Sequence, residues 1–204
     1  MKNYIYGAGG HSKVVFDAMC MAKMKCHGFI DDIDKSSWLD LPVLNSYEAK
    51  KINKIYTHIA IGDCRVREKI FLKSSFKNNF SVIHPLSSVA SNAKISSGVF
   101  IASGSVIGPN VDIGEASIIN HNAVVDHDST IGKFCHISIN ASICGSVKIG
   151  RGVLIGAGAV VLPGIDICNY AIIGAGSVVT KDISTPAIYI GKQSNPIGHN
   201  KEID

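Results

Sequence analysis

The feature that most constrains this chain is a six-residue periodicity between residues 83 and 179. Every sixth residue in this segment is isoleucine or valine, without a break in phase. The seventeen positions, called rungs below, are Ile83, Val89, Ile95, Ile101, Ile107, Ile113, Ile119, Val125, Ile131, Ile137, Ile143, Ile149, Ile155, Val161, Ile167, Ile173 and Val179. A small or β-branched residue stands four positions after almost every rung. This period matches neither an α-helix nor an alternating strand. It is typical of a hexapeptide-repeat β-helix.

In such a β-helix, three hexapeptides, or about 18 residues, form one triangular coil. Successive coils stack at the strand spacing of about 4.8 Å and place the rungs inside the prism. The coils are left-handed, an exception to the usual handedness of parallel crossovers. Glycines after many rungs mark corners that need positive φ or close packing: Gly108, Gly114, Gly132, Gly150, Gly156 and Gly174. Nearly all of these residues are therefore scaffold, and function is expected at positions that interrupt the pattern.

Residues 1–80 lack this period. An apolar segment at 4–6 leads into the glycine turn 7–12 and an amphipathic stretch at 13–25, which predicts strand, turn and helix. Further strands are predicted at 27–32 and 55–61, and a helix at 66–73. This alternation predicts a small Rossmann-like βαβ unit with a parallel sheet. We therefore expect an α/β domain at 1–80, a left-handed parallel β-helix at 81–185 and a C-terminal extension at 186–204.

The glycine turn has two interpretations. Gly7, Gly9 and Ser12 approach the GxGxxG pattern, and Asp31 follows about twenty residues later, where a ribose-binding acid is expected. The third glycine is replaced by Ser12, and the domain is too short for two mononucleotide-binding halves. Phosphate or nucleotide binding and a purely structural turn both remain open, whereas a nicotinamide cofactor is disfavoured.

Composition excludes several classes of protein. The net charge of +4 comes from 20 basic and 16 acidic residues without a basic run, which disfavours nucleic-acid binding. The six cysteines form no CxxC pair, so we expect reduced thiols in a cytoplasmic protein. No apolar run is long enough to span a bilayer, and the N-terminus lacks the layout of a signal peptide, so neither membrane insertion nor export is indicated.

Three histidines fall close together in the β-helix but off its rungs: His121, His127 and His136. Asp126 and Asp128 flank His127, and their charges would raise its pKa and improve it as a general base. A solvated surface histidine is the alternative. A zinc site is the sharper rival, but the offsets between the three histidines place them on different faces or coils. We therefore expect no metal.

Stacking also predicts a possible ligand groove. Residues about 18 apart lie above one another, so Gly145 stacks on the coil of His127. The same rule forms a column of Gly156, Ala157, Gly174 and Ala175. Such a column exposes backbone to a thin, extended ligand such as a pantetheine arm, although tight corner packing explains the glycines equally well.

Several motifs together resemble a known family: GAGGHSKVV at 7–15, FIDD at 29–32, AIGD at 60–63, VVDHDSTIG at 124–132, CHISINASICGSVKIG at 135–150 and IGAGAVVLPGI at 155–165. The chain is similar, over practically its whole length, to the NeuD/PglD-like sugar O/N-acyltransferases. These include sialic acid O-acetyltransferases and N-acetyltransferases of nucleotide-linked 4-amino-4,6-dideoxy sugars. The resemblance implies an N-terminal domain that holds the nucleotide sugar, a prism that trimerises, and acetyl-CoA in the groove between neighbouring prisms.

Carried over position by position, the resemblance makes His127 the general base and Asp128 the acid that raises its basicity. It implies acetyl-CoA contacts at His136, Ala157 and Ala175, with Gly145 near the thioester. The stacking argument adds Gly156 and Gly174 to these expected contacts. It implies nucleotide-sugar contacts at Gly9, Gly10, His11, Asp31, Asp32 and Gly62. The chain departs from the family pattern at 191–196, in place of a G-x-P-A-K segment, and at Asp63 and Cys64, in place of an asparagine-rich stretch.

The function that the resemblance implies is acetyl-CoA-dependent N-acetylation of a UDP- or dTDP-linked 4-amino-4,6-dideoxy sugar by a cytoplasmic homotrimer, in surface glycan biosynthesis. Direct transfer is expected, because no cysteine forms an evident nucleophile–base pair with His127. O-acetylation of sialic acid or a related sugar is the alternative. A structural hexapeptide protein and a γ-carbonic-anhydrase-like metalloprotein are the more remote ones.

Overall fold

A computed structural model describes residues 2–33, 35–74, 76 and 78–191, together with the backbone of 195–199. Its N-terminal part alternates strands and helices: β1 (Lys2–Tyr6), α1 (Gly10–Met21), β2 (Phe29–Ile30), β3 (Ser37–Trp38), β4 (Leu41–Leu44), α2 (Ser46–Lys50), β5 (Ile55–Ile59) and α3 (Cys64–Lys73). The sheet order is β3-β4-β2-β1-β5. All pairs are parallel except β3 with β4. The carboxyl ends of β1, β2 and β5 therefore meet at one edge, where the glycine turn, Asp31 and Gly62 follow.

The first helix begins earlier than its apolar pattern predicts. Gly9 is its N-cap, and the hydroxyl of Ser12 donates to the carbonyl of Gly9 at 2.7 Å, so the glycine turn forms the first turn of α1. The helix ends at Met21 because Lys23 adopts a positive φ of 55° and Met24 donates back to the carbonyl of Met19 at 2.8 Å. The short elements β3, β4 and α2 were not predicted.

The β-helix begins at Val82 and consists of strands of two residues. In chain order these are β6 (Val82–Ile83), β7 (Ser88–Val89), β8 (Lys94–Ile95), β9 (Phe100–Ile101), β10 (Val106–Ile107), β11 (Asp112–Ile113), β12 (Ile118–Ile119), β13 (Val124–Val125), β14 (Thr130–Ile131), β15 (His136–Ile137), β16 (Ser142–Ile143), β17 (Lys148–Ile149), β18 (Leu154–Ile155), β19 (Val160–Val161), β20 (Asp166–Ile167), β21 (Ile172–Ile173) and β22 (Val178–Val179). Strand β23 (Ala187–Ile190) pairs in parallel with β21, and β24 (Asn195–His199) pairs antiparallel with β23. The predicted combination of an α/β unit and a parallel β-helix of hexapeptide repeats is confirmed.

Every third short strand lies on the same face of the prism. We call the face formed by β6, β9, β12, β15, β18 and β21 the docked face. The face of β7, β10, β13, β16, β19 and β22 is the valine face, because four of its outward residues are Val106, Val124, Val160 and Val178. The face of β8, β11, β14, β17 and β20 is the charged face, since its outward residues are Lys94, Asp112, Thr130, Lys148 and Asp166.

The rungs form the prism core as predicted. From Ile101 to Val179 each rung is at most 3% exposed. Ile83 is 37% exposed, because its strand belongs to the first coil and no coil covers it from below. The series of rungs therefore predicts the core correctly except in the uncovered first coil of the prism.

Most glycines after the rungs are required by stacking and not by positive φ. A β-carbon on Gly108 would lie 2.7 Å from the backbone nitrogen of His127, and one on Gly156 would lie 2.5 Å from that of Ala175. Positive φ angles occur instead at other corner positions, including Gly158, Asn110 and Asp128. Of the two reasons that the sequence left open, close packing is thus the one that applies at Gly108 and Gly156.

The N-terminal unit packs on the docked face, whose outward residues Val82, Phe100 and Ile118 are buried against Ile5 and Val15. This contact accounts for the large apolar residues that precede every third rung. Burial of these side chains against the α/β unit stabilises their association at roughly 25 cal/mol per Å² of apolar surface.

Arg67 of α3 joins the two parts of the chain. Its side chain is fully buried and has no carboxylate partner among the described residues. It donates to the carbonyls of Ala116 (2.7 Å), Phe134 (2.8 Å) and Cys135 (3.0 Å) in the prism and to that of Ile61 (2.7 Å) in the N-terminal unit. A buried guanidinium without such acceptors is strongly destabilising, so these hydrogen bonds fix how the loop after β5 sits on the prism.

The predicted boundaries at 80/81 and 185/186 stay a prediction, although the repeat of short strands begins at Val82. Residues 192–194 of the divergent C-terminal segment lie outside the described residues. None of the helices in the described ranges is both long and apolar enough to cross a bilayer.

Candidate active site

The strongest candidate catalytic group is the pair formed by His127 and Asp128. Both lie in the turn between β13 and β14, at the edge where the valine face meets the charged face; we call this edge the His127 corner. Nδ1 of His127 is 2.8 Å from Oδ2 of Asp128. An ionised carboxylate only accepts hydrogen bonds, so Nδ1 carries the proton and Nε2 is left with a free lone pair. The side chains are 55% and 50% exposed, respectively, so a substrate can reach Nε2.

The surroundings make His127 more basic than an isolated histidine. Its pKa is raised above 6.5, first by the hydrogen bond to Asp128 and then by the charge of Asp126. Asp126 also accepts the backbone N–H of His127 at 2.7 Å. The pKa of Asp128 is lowered, first by a hydrogen bond from Asn110 and then by His127. Asp128 therefore stays ionised and holds the ring in a single tautomer.

Gly145 lies directly against the imidazole ring, one coil further along the prism. A β-carbon on Gly145 would come within 2.6 Å of Cε1 and 2.7 Å of Nε2 of His127. Gly145 has no positive φ, so its backbone conformation does not require glycine. The absent side chain instead leaves room for the ring beside the Gly145 backbone.

The predicted acetyl-CoA column lies elsewhere. Gly156, Ala157, Gly174 and Ala175 occupy the opposite edge of the valine face, between it and the docked face; we call this edge the alanine corner. Both alanines are exposed and both glycines are half-buried. One chain therefore does not bring this column next to His127.

In the glycine turn, the backbone conformation requires glycine at one position, whereas neither conformation nor packing requires it at two others. Gly7 has a φ of 107°, which favours glycine. Gly9 and Gly10 are exposed, have no positive φ, and a β-carbon on either would meet no atom within 4 Å. Among the described residues no side chain caps the N-terminus of α1. Internal packing thus does not explain two consecutive glycines, whereas close approach of a ligand to the helix N-terminus would.

The two predicted acids hold the loops of this edge. Asp31 accepts the backbone N–H of Ala8 at 2.7 Å, and Asp32 accepts both the N–H and the hydroxyl of Ser46 at 2.8 Å. Together they line an open cavity of about 490 Å³ at the carboxyl ends of β1, β2 and β5. Its wall also contains Lys50, Lys69 and Lys73, which makes the cavity suitable for an anionic ligand.

His136, Gly62 and His11 come together where the N-terminal unit meets the docked face. Nδ1 of His136 lies 3.0 Å from the carbonyl of Gly62, and this oxygen only accepts, so Nδ1 carries the proton. Nε2 then accepts from the amide of Asn120 at 3.1 Å. The ring of His11 lies 6.2 Å from that of His136. Both nitrogens of His136 are therefore engaged by protein groups, and its predicted contact with acetyl-CoA stays a prediction.

Three buried histidines in this region are kept neutral. Burial lowers the pKa of His11 to about 3, with a further contribution from the neighbouring His136. Burial also lowers the pKa of His58 to about 4 and that of His136 to about 4. Nε2 of His11 is buried and has no hydrogen-bond partner among the residues that the structure describes. Within the described ranges no three His, Cys, Asp or Glu side chains are arranged to hold a metal ion; the expected absence of a metal stays a prediction.

Sequence reasoning missed Arg67, Asn110, Asn120 and His58. Arg67 acts through contacts between segments far apart in the chain, which a single sequence does not reveal, whereas Asn120 contacts His136 on the next coil. Asn110 carried a usable signal, because it stands 18 residues before Asp128 and so stacks directly beneath it.

A prism of hexapeptide repeats with a histidine–carboxylate pair at one exposed corner defines the class of hexapeptide acyltransferases. The model of the PglD N-terminal domain matches residues 2–74, and that of the bacterial transferase hexapeptide (six repeats) matches residues 128–163 and 146–181. No curated protein matches the chain significantly.

Solved structures match over nearly the whole chain. A histidine-to-alanine variant of GDP-perosamine N-acetyltransferase from Caulobacter crescentus, in complex with CoA and GDP-perosamine, is 30% identical (97% of each chain covered, TM-score 0.90). The acetyltransferase domain of PglB from Neisseria gonorrhoeae in complex with acetyl coenzyme A is 28% identical (96% of this chain and 98% of that chain covered, TM-score 0.91). WeeI from Acinetobacter baumannii is 25% identical (97% and 100% covered, TM-score 0.88). The chain belongs to the NeuD/PglD-like family of sugar acyltransferases and is an enzyme.

Proposed function

We propose that this protein transfers the acetyl group of acetyl-CoA directly to the amino group of a nucleotide-linked 4-amino-4,6-dideoxy sugar. The observation that carries the proposal is the hydrogen bond between Nδ1 of His127 and Asp128, which leaves Nε2 of His127 free and facing solvent beside the backbone of Gly145. The similarity to an N-acetyltransferase that was solved with CoA and GDP-perosamine supports the class of both substrates.

In the proposed reaction the sugar amine attacks the thioester carbonyl while Nε2 of His127 takes one amine proton. The new C–N bond forms, the C–S bond breaks, and the proton passes to the departing thiolate of CoA. Asp128 stabilises the imidazolium through Nδ1–H, and the backbone N–H of Gly145 stabilises the oxyanion. No acyl-enzyme is required, since His127 acts on the acceptor itself.

The nucleotide sugar is held by the N-terminal unit in this proposal. Gly9 and Gly10 allow the phosphates to approach the uncapped start of α1. The adjoining cavity of about 490 Å³ contains Asp31, Asp32 and lysines that suit an anionic nucleotide. His11, Gly62 and His136 meet where the N-terminal unit packs on the docked face, and the sugar would extend past them towards the acetyl donor.

The active site is completed by a second subunit. The valine face joins the His127 corner to the alanine corner, and its outward Val106 and Val124 are exposed or half-buried. If three valine faces pack about a threefold axis, the His127 corner of one subunit adjoins Gly156, Ala157, Gly174 and Ala175 of the next. Acetyl-CoA would lie in that groove. A trimeric mass by light scattering at micromolar concentration is expected, and a monomeric mass would contradict this assembly.

The substrate is identified by offering acetyl-CoA together with UDP-, dTDP- and GDP-linked 4-amino-4,6-dideoxy sugars and following release of free CoA. UDP and dTDP are the carriers that the family resemblance implies, and GDP is included because a relative was solved with GDP-perosamine. The matched control for each sugar is its N-acetylated form, which has no free amine. Release of CoA with an amino sugar, but not with its N-acetylated control, supports N-acetylation. Release of CoA only with acceptors that offer a hydroxyl group and no amine would overturn the proposal.

O-acetylation of sialic acid or a related sugar uses the same base and remains the second candidate. It is distinguished by turnover of an acceptor that lacks a free amine. The proposed substrate class implies that the enzyme acts in the cytoplasm and serves the biosynthesis of surface glycans, since sugars of this kind are building blocks of such glycans. Within one subunit His127 lies at one edge of the prism and His136 on the docked face, so these two histidines do not share a metal ion, and the metalloprotein alternative is not favoured.

A further inference from the structure

The carboxylate that holds His127 is itself held from the coil below. Nδ2 of Asn110 donates to Oδ1 of Asp128 at 2.9 Å, while Oδ2 of Asp128 accepts from His127 at 2.8 Å. The two oxygens of Asp128 therefore have different partners. Asn110 and Asp128 adopt nearly the same left-handed backbone conformation, with φ angles of 60° and 59°, so their side chains leave the prism from equivalent stacked positions.

The amide of Asn110 is oriented by one further residue. Asn92, one coil lower, donates to Oδ1 of Asn110 at 2.6 Å and accepts the backbone N–H of Asn110 at 3.2 Å. With its amide oxygen occupied in this way, Asn110 presents Nδ2 to Asp128. Since a carboxylate only accepts, this is the orientation of the amide that satisfies both neighbours. A polar chain thus runs up the His127 corner from Asn92 through Asn110 and Asp128 to His127.

The scaffold alone does not require this chain. Asparagine tolerates the left-handed conformation, which accounts for the residue type at Asn110 as it does at Asn122. Corner positions with the same conformation are filled elsewhere by Ala116 or Gly158, so the fold needs no side-chain amide there. Backbone preference therefore explains asparagine at position 110 but not the hydrogen bond to Asp128.

We propose that Asn110 is a positioning residue: by donating to Oδ1 of Asp128 it keeps Oδ2 on Nδ1–H of His127 and so keeps Nε2 aimed at the acceptor amine. This inference rests on the proposed function, in which His127 is the general base. The hydrogen bond from Asn110 is also the first cause of the lowered pKa of Asp128, so it helps to keep the carboxylate ionised.

The direct test is Asn110→Gly, which removes the amide while a glycine adopts φ near 60° without strain. We expect kcat to fall about tenfold with KM for both substrates within about twofold, because a positioned group is lost and no substrate contact is. The pKa of His127, followed by NMR in the same variant, is expected to fall towards 6.5. Asn110→Asp, which has the same shape but no donor, is expected to lose at least as much kcat.

Ala116→Gly is the matched control, since it places a glycine at a φ of 52° on the edge between the charged face and the docked face, outside the His127 corner and the alanine corner, and it is expected to keep wild-type kcat. In a double-mutant cycle, Asn110→Gly is expected to cause no further loss in the Asp128→Ala background. A wild-type kcat and an unchanged pKa of His127 in Asn110→Gly would overturn the positioning role. Losses of kcat that add fully when Asn110→Gly and Asp128→Ala are combined would overturn it as well. Full turnover in His127→Ala would instead overturn the proposed function, and the NMR titration distinguishes the two because it requires no turnover.

Discussion

The imidazole of His127 lies against the bare backbone of Gly145, so close that a β-carbon at position 145 would fall 2.6 Å from Cε1 of the ring. This contact joins the proposed base to the proposed oxyanion donor across two neighbouring coils. The atoms that such a β-carbon would meet belong to the far end of an exposed side chain. The ring, and not the prism, would therefore be displaced.

Gly145→Ala is accordingly expected to fold normally and to lose at least about tenfold in kcat, because the ring must move from its position. Thermal unfolding measures the first expectation and steady-state kinetics the second. In the His127→Ala background, Gly145→Ala should cause little additional loss of kcat. Wild-type kcat in the single variant would show that the contact does not matter for turnover.

Asp128→Asn tests the origin of the basicity of His127. The pKa of His127 is raised first by the hydrogen bond to Asp128, so loss of the charge should lower it. Because the base acts in its neutral form, activity rises with pH through this pKa, and the acid limb of the kcat profile should move to lower pH. The plateau should also fall, since the asparagine no longer stabilises the imidazolium.

Asp126→Asn is the control for that experiment. Asp126 also raises the pKa of His127 but bonds to its backbone N–H and not to its ring. The variant should shift the acid limb in the same direction while the plateau stays closer to wild type. An acid limb that does not move in Asp128→Asn would contradict the assignment of the pair.

Gly10→Val separates the two substrates. A β-carbon at Gly10 meets nothing within 4 Å, so the variant should fold, yet it places a side chain where the phosphates of the nucleotide would approach α1. We expect KM for the nucleotide sugar to rise at least about tenfold, equivalent to roughly 1.4 kcal/mol, with acetyl-CoA affinity and oligomeric mass unchanged. Asp17→Val, on the exposed side of the same helix, is the control. Unchanged sugar binding in well-folded Gly10→Val would mean that this turn does not hold the substrate.

The buried histidines predict how stability depends on pH. The pKa values of His11, His58 and His136 are lowered to about 3, 4 and 4 in the folded protein, whereas in the unfolded chain they lie near 6.5. The unfolded state thus binds more protons below pH 6.5, and stability is lost as the pH falls towards 4. The slope is about 1.4 kcal/mol per pH unit for each histidine.

Thermal denaturation between pH 7.5 and 5 measures this effect. The midpoint is expected to fall as the pH is lowered, and less steeply in His58→Gln, which removes one of the three groups. A midpoint that is constant or rises over this range would show that these histidines are not kept neutral by the fold.

The six-residue periodicity was sufficient to predict the prism, because the side chain of every rung points inward. The order of coils then fixes which residues stack, and so the contact of His127 with Gly145 could be anticipated from their spacing. The docked face also had a sequence signal that was not used: Val82, Phe100 and Ile118 recur every third hexapeptide, where the charged face has Lys94 and Asp112.

Other features had no local signal. The buried guanidinium of Arg67 is held by carbonyls of the prism as far away as Cys135, and nothing near it in sequence announces a buried charge. The strands β3 and β4 pair across a turn with positive φ at Leu39 and Asp40; aspartate tolerates this conformation, but leucine does not favour it. The pairing of His136 with Gly62 depends on how the two parts of the chain dock, which is a tertiary property.

The central claim is that His127 removes the amine proton during direct acetyl transfer, and the kcat of His127→Ala tests it most directly. With acetyl-CoA and the nucleotide-linked amino sugar that the screen identifies, we expect kcat to fall by about 10² to 10⁴. Affinity for CoA, measured by titration calorimetry, should stay close to wild type. Turnover at the wild-type rate in a folded His127→Ala protein would contradict the account.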